Sequence, residues 1–467
     1  MKKGKSSLLY LSQEGLCGEE SLLGVSAQTL LDFVCGHSSL LGLAKFGRSY
    51  VISDSSLKFY PLTFVPDEPD VVIGRMDIDS FATFPEDGAE LLKKLQAGMA
   101  FQEAAEWYEQ QYGEPIDIAD FLETLRDLQF LREGADADAP LVPAKTVSWQ
   151  WLGKAMFSPV AWIIYALMIG YCGYLMLRFP YLRLSYSHIF FSPYFTVIEL
   201  VLFFAQFPGI LFHEGFHMLA GQRLGIPSRM GIGRRLYFIV FETHLTGLWS
   251  VPRKARYLPF LAGMLGDVLW MTILIILASL TYNPAVPYSF PGLLFLGLAF
   301  ATMLRFIWQF YFYLQTDLYY VVTNAFRCVD LQQTTRRYIL NRFNRLLGRT
   351  NKIEDEELWY PRDRQVARWY APFFAAGYLF STLTFFLLAL PVAIRFLSGV
   401  AAHLFLSTSF SPDFWDSSIF LLLNVLQFVV VVYIFIRERR AKKRAAHSTL
   451  AIENEVLTSS IVDSEAR

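Results

Sequence analysis

Residues 197–220 read VIELVLFFAQFPGILFHEGFHMLA. Almost all of this is hydrocarbon side chain, yet Glu199, His213, Glu214 and His217 sit in it. An apolar run of this length covers roughly 30 Å of lipid as an α-helix, since a backbone in lipid must satisfy its own hydrogen bonds. Ionisable side chains are costly there and mark functional sites. His213 and His217 stand four positions apart, on one helix face, so both rings can reach a single divalent ion. Glu214 projects beside them as a general base. The plain alternative is two interfacial histidines near a helix end.

The rest of the chain fits a membrane setting. Of 467 residues, 54% are hydrophobic and 16% aromatic, and the mean hydropathy is +0.34. These values point to an α-helical polytopic membrane protein. Six candidate spans follow: 158–178, 194–220, 258–281, 290–314, 371–397 and 415–436. The formal net charge is -1 and no basic domain stands apart, so no nucleic-acid partner is expected. The four cysteines, Cys17, Cys35, Cys172 and Cys328, form no CxxC pair and suggest neither a disulfide framework nor a thiolate zinc site. The basic N-terminus precedes too short an apolar run to be read as a cleaved signal.

Lysine and arginine set the expected orientation. They crowd into 221–257, 315–370 and RERRAKKR (437–444), while 179–193, 282–289 and 398–414 hold only Arg183. Both termini and the basic loops are therefore expected in the cytoplasm, with a disordered tail after 445.

Residues 60–133 read as a small α+β, winged-helix-like module. VVIGRMD and FATFP are short strands around a turn. Helices follow in EDGAELLKKLQAG, FQEAAEWYEQQYG and IADFLETLRDLQFL, with Leu91, Leu92 and Leu95, then Ile118, Phe121, Leu122 and Leu125, facing inward. The segment 1–59 receives no fold assignment. Residues 134–150 read as a linker, 151–325 as the transmembrane core, 326–370 as a basic cytoplasmic segment, 371–436 as two further spans, and 437–467 as a basic, then disordered tail.

A catalytic zinc takes a third protein ligand and keeps one position for water. Glu242, His244, Asp267 and Asp317 are the candidates. Asp317 follows the fourth span at the same expected depth as the histidines and is favoured. Glu242 and His244 are runners-up, on a strand dipping toward the site, where they support or gate it. Asp267, inside the third span, is expected behind the ligands. Depth counting also pairs Glu199, about 21 Å outward of His213, with Arg305, about 18 Å outward of Asp317, as a buried ion pair.

The constellation resembles the site-2 protease family of intramembrane zinc metalloproteases, in the branch tied to bacterial peptide maturation and export. HEGFH (213–217) matches the family's first motif and TDLYYVV (316–322) the surroundings of the second, which implies Asp317 as third ligand, with Leu318 in place of the usual glycine. LWSVPRKARYLPFLAGMLGDVL (248–269) is similar to the family's connecting segment, with Met264 for proline and Asp267 for asparagine. The module at 60–133 resembles the peptide-binding chaperones of pyrroloquinoline-quinone biosynthesis. The resemblance implies one zinc ion, a membrane-associated peptide or protein substrate, a leader peptide on the module, an export transporter as partner and a bacterial inner-membrane location. The alternative is a non-catalytic component of a peptide export or immunity system with the same fold. A di-iron hydroxylase needs clustered histidines, whereas His188, His213, His217, His244 and His403 are dispersed.

Overall fold

The computed structural model describes residues 9–11, 58–132, 147–235, 238–281, 289–406 and 411–465, of which 9–11, 232–240, 242, 438–439 and 441–465 by backbone alone. Most of 1–59, most of the expected linker and most of the 282–289 loop lie outside those residues.

The N-terminal region is built on strands β1 (Leu9–Leu11), β2 (Lys58–Phe59), β3 (Thr63–Asp67), β4 (Asp70–Arg75), β5 (Ser80–Pro85) and β6 (Leu131–Arg132). Four of them form an antiparallel sheet in the order β1-β5-β4-β3, and β2 pairs with β6. Register sets Val72 against Thr83 and Ile73 against Ala82. Side chains alternate across a strand, so the sheet has two buried faces. Ile73, Ala82 and Phe84 pack under three helices, α1 (Glu86–Gln96), α2 (Phe101–Tyr112) and α3 (Ile118–Asp127). Leu91, Leu92 and Leu95, with Phe121, Leu122 and Leu125, fill that layer, and Ile118 packs against it. Asp117 caps α3 by accepting from the Ala119 and Asp120 amides.

The second face carries Val65, Val72 and Phe81 onto Trp249 and Val329 of the helical region. The sheet is tied down there by polar contacts too. The Arg253 guanidinium donates to Asp67, the Gly247 amide to Asp79 at 2.7 Å, and the Tyr360 hydroxyl to Asp70 at 3.2 Å.

The helical region opens with α4 (Gln150–Met156) and α5 (Pro159–Arg178), the latter capped by Ser158. Next come α6 (Phe195–Ala205) and α7 (Phe207–Arg223), then a hairpin of β7 (Ser228–Arg235) and β8 (Phe238–Leu245). They are followed by α8 (Arg253–Leu280), α9 (Phe290–Trp308), α10 (Asp317–Phe326), α11 (Leu331–Leu346), α12 (Pro361–Thr384), α13 (Leu390–Leu406) and α14 (Pro412–Glu465). Among the described residues, six helical stretches are long and apolar enough to cross a membrane: 159–178, 195–223, 253–280, 290–308, 361–406 and 412–437. This is a helical polytopic arrangement with a small strand-containing N-terminal region.

Several boundaries differ from the sequence expectations. The second span is interrupted at Gln206, because Pro208 supplies no amide proton and its ring crowds the preceding turn. The fourth ends at Trp308, not 314, and the chain turns through 309–316 before α10 begins. The fifth continues through a five-residue π turn at Phe385–Ala389 into α13. The last runs on to Glu465 where a disordered tail was expected.

Helices α7, α8 and α9 form the centre of this region. Small residues let them approach: Gly266 faces Phe216 and the His213 backbone, and Gly209 faces Trp270 and Arg305.

Candidate metal centre

The HExxH residues lie on α7, with His213 and His217 on the buried face. Their Nε2 atoms are 3.2 Å apart. Asp317 begins α10, and its Oδ2 lies 3.4 Å from His213 Nε2 and 3.3 Å from His217 Nε2. Three donor atoms thus form a nearly equilateral triangle, and among the described residues these three side chains are the group able to hold a metal ion.

The hydrogen bonds around the triangle decide what its atoms carry. His217 Nδ1 is 2.7 Å from the Pro259 carbonyl, an acceptor, so that nitrogen bears the proton. His213 Nδ1 is 3.1 Å from Asp267 Oδ2, a close charge contact without hydrogen-bond alignment, and the carboxylate favours the proton on that nitrogen. Both Nε2 atoms therefore present lone pairs, facing each other and a carboxylate oxygen. Asp317 Oδ2 is buried and accepts no hydrogen bond from the described residues. Lone pairs converging at this distance repel unless a cation sits between them. The edge of a zinc tetrahedron with bonds near 2.0–2.1 Å is about 3.3 Å, and the triangle's sides match it. The donor set fits a zinc-like ion.

Packing keeps the triangle open. A Cβ on Gly263 would stand 2.1 Å from His217 Nε2 and 2.5 Å from His213 Nε2. Glycine at this point of α8 is what leaves room for an ion between the rings.

Asp267 is completely buried. Arg305 on α9 donates to its Oδ1 from Nε at 3.0 Å and from Nη2 at 2.5 Å, and also reaches the Gly209 carbonyl at 3.2 Å. A relay therefore runs Arg305, Asp267, His213. The nearby carboxylate biases the ring toward carrying its proton on Nδ1, and Arg305 gives the buried carboxylate the charged partner it needs.

This arrangement corrects the expected Glu199–Arg305 pair. Glu199 on α6 instead accepts from Asn424 Nδ2 at 3.1 Å and Gln427 Nε2 at 2.9 Å, both on α14. A helical rise does not continue through 309–316, where the chain turns between α9 and α10, so depth along the chain is shorter than residue spacing implies. Arg305 is three residues from the end of α9 and lies close to the site rather than deep beyond it.

Glu214 points toward the hairpin. Thr243 Oγ1 is 2.8 Å from Glu214 Oε2 and 2.9 Å from its carbonyl oxygen. Glu242 and His244 lie on β8, paired with Gly231 and Arg229; His244 is not one of the three clustered donors.

Four contributors escaped the sequence reading. The Gln309 side chain accepts from the Asp317 amide at 3.0 Å, and its carbonyl accepts from Thr316 Oγ1 at 2.9 Å, so it shapes the turn that delivers the carboxylate. Thr243, Pro259 and Gly263 act through contacts between elements, for which no motif exists. The ligands are not equally covered. The Asp317 side chain is 23% exposed against 8% and 10% for the two histidines, so the centre opens on the Asp317 side.

Compared with protein-family models, curated proteins and solved structures, the chain matches none of them.

Proposed function

We propose that this chain is an intramembrane zinc metalloendopeptidase whose centre is similar to that of site-2 proteases. The observation that carries this reading is the triangle of two imidazole nitrogens and one carboxylate oxygen inside a set of span-length helices, with Glu214 adjacent to His213 on the same helix. A zinc ion held by His213, His217 and Asp317 would supply Lewis acidity and bring the ionisation of water toward neutral pH.

The remaining chemistry belongs to side chains. Glu214 takes the proton from the attacking water and passes it to the leaving amine. Thr243 holds the carboxylate of Glu214 in place, and Pro259 and Asp267 hold the two rings. The substrate is a peptide segment in the membrane or delivered to it. A helix hides its scissile amide in its own hydrogen bonds, so local unwinding comes before cleavage.

In this reading both termini and the centre's open side face the cytoplasm of a bacterial inner membrane, and the crowding of arginine and lysine into alternate loops supports that orientation. The N-terminal module serves to present the peptide's leader. In support, one edge of β3 is unpaired among the described residues and can accept an added strand. Maturation or export of a ribosomally made peptide, with a transporter as partner, is the cellular task that follows.

Zinc content and cleavage of a fluorogenic transmembrane peptide reporter, measured together on purified protein, test this reading. Glu214→Gln is expected to keep one zinc per chain and to lose about 10²-fold or more in rate. Asp317→Asn is expected to lose zinc. A fully active Glu214→Gln enzyme overturns the mechanism. Stoichiometric zinc without cleavage in the unaltered protein would favour the non-catalytic export or immunity role.

A further inference from the structure

Where the N-terminal sheet meets the helical region there is a cavity of about 540 Å³, large enough for a small organic ligand. Asp67, Asp70 and Thr83 line it from the sheet, and Arg253, Arg327 and Arg362 from the ends of α8, α10 and α12. Both carboxylates are already engaged. Asp67 takes Arg253 and has the buried Arg256 at 4.0 Å, while Asp70 accepts from Tyr360.

The lining stays positive all the same: four arginines, Arg253, Arg256, Arg327 and Arg362, face the two carboxylates of Asp67 and Asp70. Arg362 donates to the Phe326 carbonyl and to the Gln365 amide oxygen, both neutral. Arg327, held at the end of α10 in a left-handed conformation with φ 59°, acts on the Asp70 carboxylate through its charge, and Asp70 takes its hydrogen bond from Tyr360 instead. The lining also leaves two buried polar atoms unsatisfied, Trp249 Nε1 and Asn324 Oδ1. Buried polar atoms without partners cost stability, and a ligand with acceptor and donor oxygens relieves that cost.

We propose that this cavity binds a phosphate group. Guanidiniums entering from separate elements suit a tetrahedral anion with several acceptor oxygens better than a flat carboxylate, which one arginine fork can satisfy. Arg253 and Arg362 precede the apolar stretches expected at 258–281 and 371–397 by roughly 8 Å and 14 Å of helix at 1.5 Å per residue, on the side where phospholipid headgroups lie. The phosphate has two sources, a lipid headgroup or a soluble phosphate ester. Bound there, it bridges sheet and helices and fastens the N-terminal module to the membrane region. This holds whether or not the metal centre is proteolytic.

The test is thermal unfolding of the full chain. One arm adds glycerol 1-phosphate to protein in neutral detergent. The other compares phosphatidylcholine nanodiscs with and without phosphatidylglycerol. The midpoint is expected to rise in at least one arm, and the arm that responds names the source. In an Arg327→Gln/Arg362→Gln double variant the response is expected to weaken at least tenfold in midpoint-shifting concentration. No rise in either arm, or a rise unchanged in the double variant, overturns the proposal. Should the double variant not fold, Thr83→Glu and Thr83→Gln decide alone. These place a charged and a neutral side chain of equal size in the cavity. The Glu variant is expected to unfold at the higher temperature, with the difference shrinking in about 1 M salt. Equal midpoints, or a more stable Gln variant, overturn the proposal.

Discussion

Arg305 and Asp267 bind each other across two helices, and the carboxylate that Arg305 neutralises is the one that faces His213 Nδ1. One ligand of the metal centre thus depends on an arginine that never touches the triangle. Outer partners of this kind are typically worth 10–100-fold in metal affinity. Asp267→Asn is expected to weaken zinc binding by about that factor while leaving Asp317 in place. Arg305→Met is expected to be worse for stability, because it strands a buried charge at a cost of roughly 3–5 kcal/mol. Competition against a chelator reads the first effect and thermal unfolding the second. Unchanged zinc affinity in Asp267→Asn would show that the relay has no influence on the ligand.

Gly263 gives a sharper steric test. Alanine there places a methyl group between the two ring nitrogens. Gly263→Ala is expected to fold, since alanine favours a helix more than glycine by about 1 kcal/mol, and to purify without zinc. Helical circular dichroism alongside metal analysis checks both halves. A zinc-replete Gly263→Ala protein would mean that the rings turn away from the positions described.

Thr243→Val removes one hydroxyl of nearly the same size from the side of Glu214. With the base no longer held, cleavage is expected to fall by about tenfold or more with zinc content unchanged. Thr243→Ser, which keeps the hydroxyl, is expected to restore most of the rate. If valine and serine behave alike in the reporter assay, the contact has no part in orienting the base.

Asp79 gives the seam between module and helices a pH dependence. Burial pushes its carboxyl up to about 6, with the Gly247 amide pulling the other way. Its ordinary value is 3.8, so the folded state holds the proton more tightly than the unfolded chain. The resulting stabilisation is complete below about pH 4 and is lost as pH rises through about 6. Asp79→Asn should remove this dependence, and asparagine tolerates the left-handed backbone at this position, φ 56°. The difference in unfolding temperature between the two proteins, followed from pH 4 to 7, should shift in favour of the variant as pH increases. A constant difference would place the Asp79 titration outside the folded contact.

Much of this molecule is legible in its sequence where a single element carries the signal. The HExxH spacing puts His213 and His217 on one face of α7, and the helical periodicity of 86–131 marks the side chains that cover one sheet face. Asp317 could be picked by its position after the fourth span. The losses come where elements meet. Arg305 was matched to Glu199 by counting residues along a helix that in fact stops at Trp308. Thr243 and Pro259 act through a hydroxyl and a carbonyl that any sequence window contains. Strand β3 was missed because TFVPD includes a proline, which weakens a strand signal yet is tolerated at a sheet edge.

The turn at 309–316 sets how the centre responds to its ion. Two ligands ride on a rigid rod, while the third hangs from an elbow braced mainly by Gln309. An ion at the triangle would act as a rivet between rod and elbow. Stripping it should leave α7 as it was and slacken the short helix beyond, so that chelation is felt first at 309–326 and, through Asn324 and Arg253, at the seam where the N-terminal sheet rests.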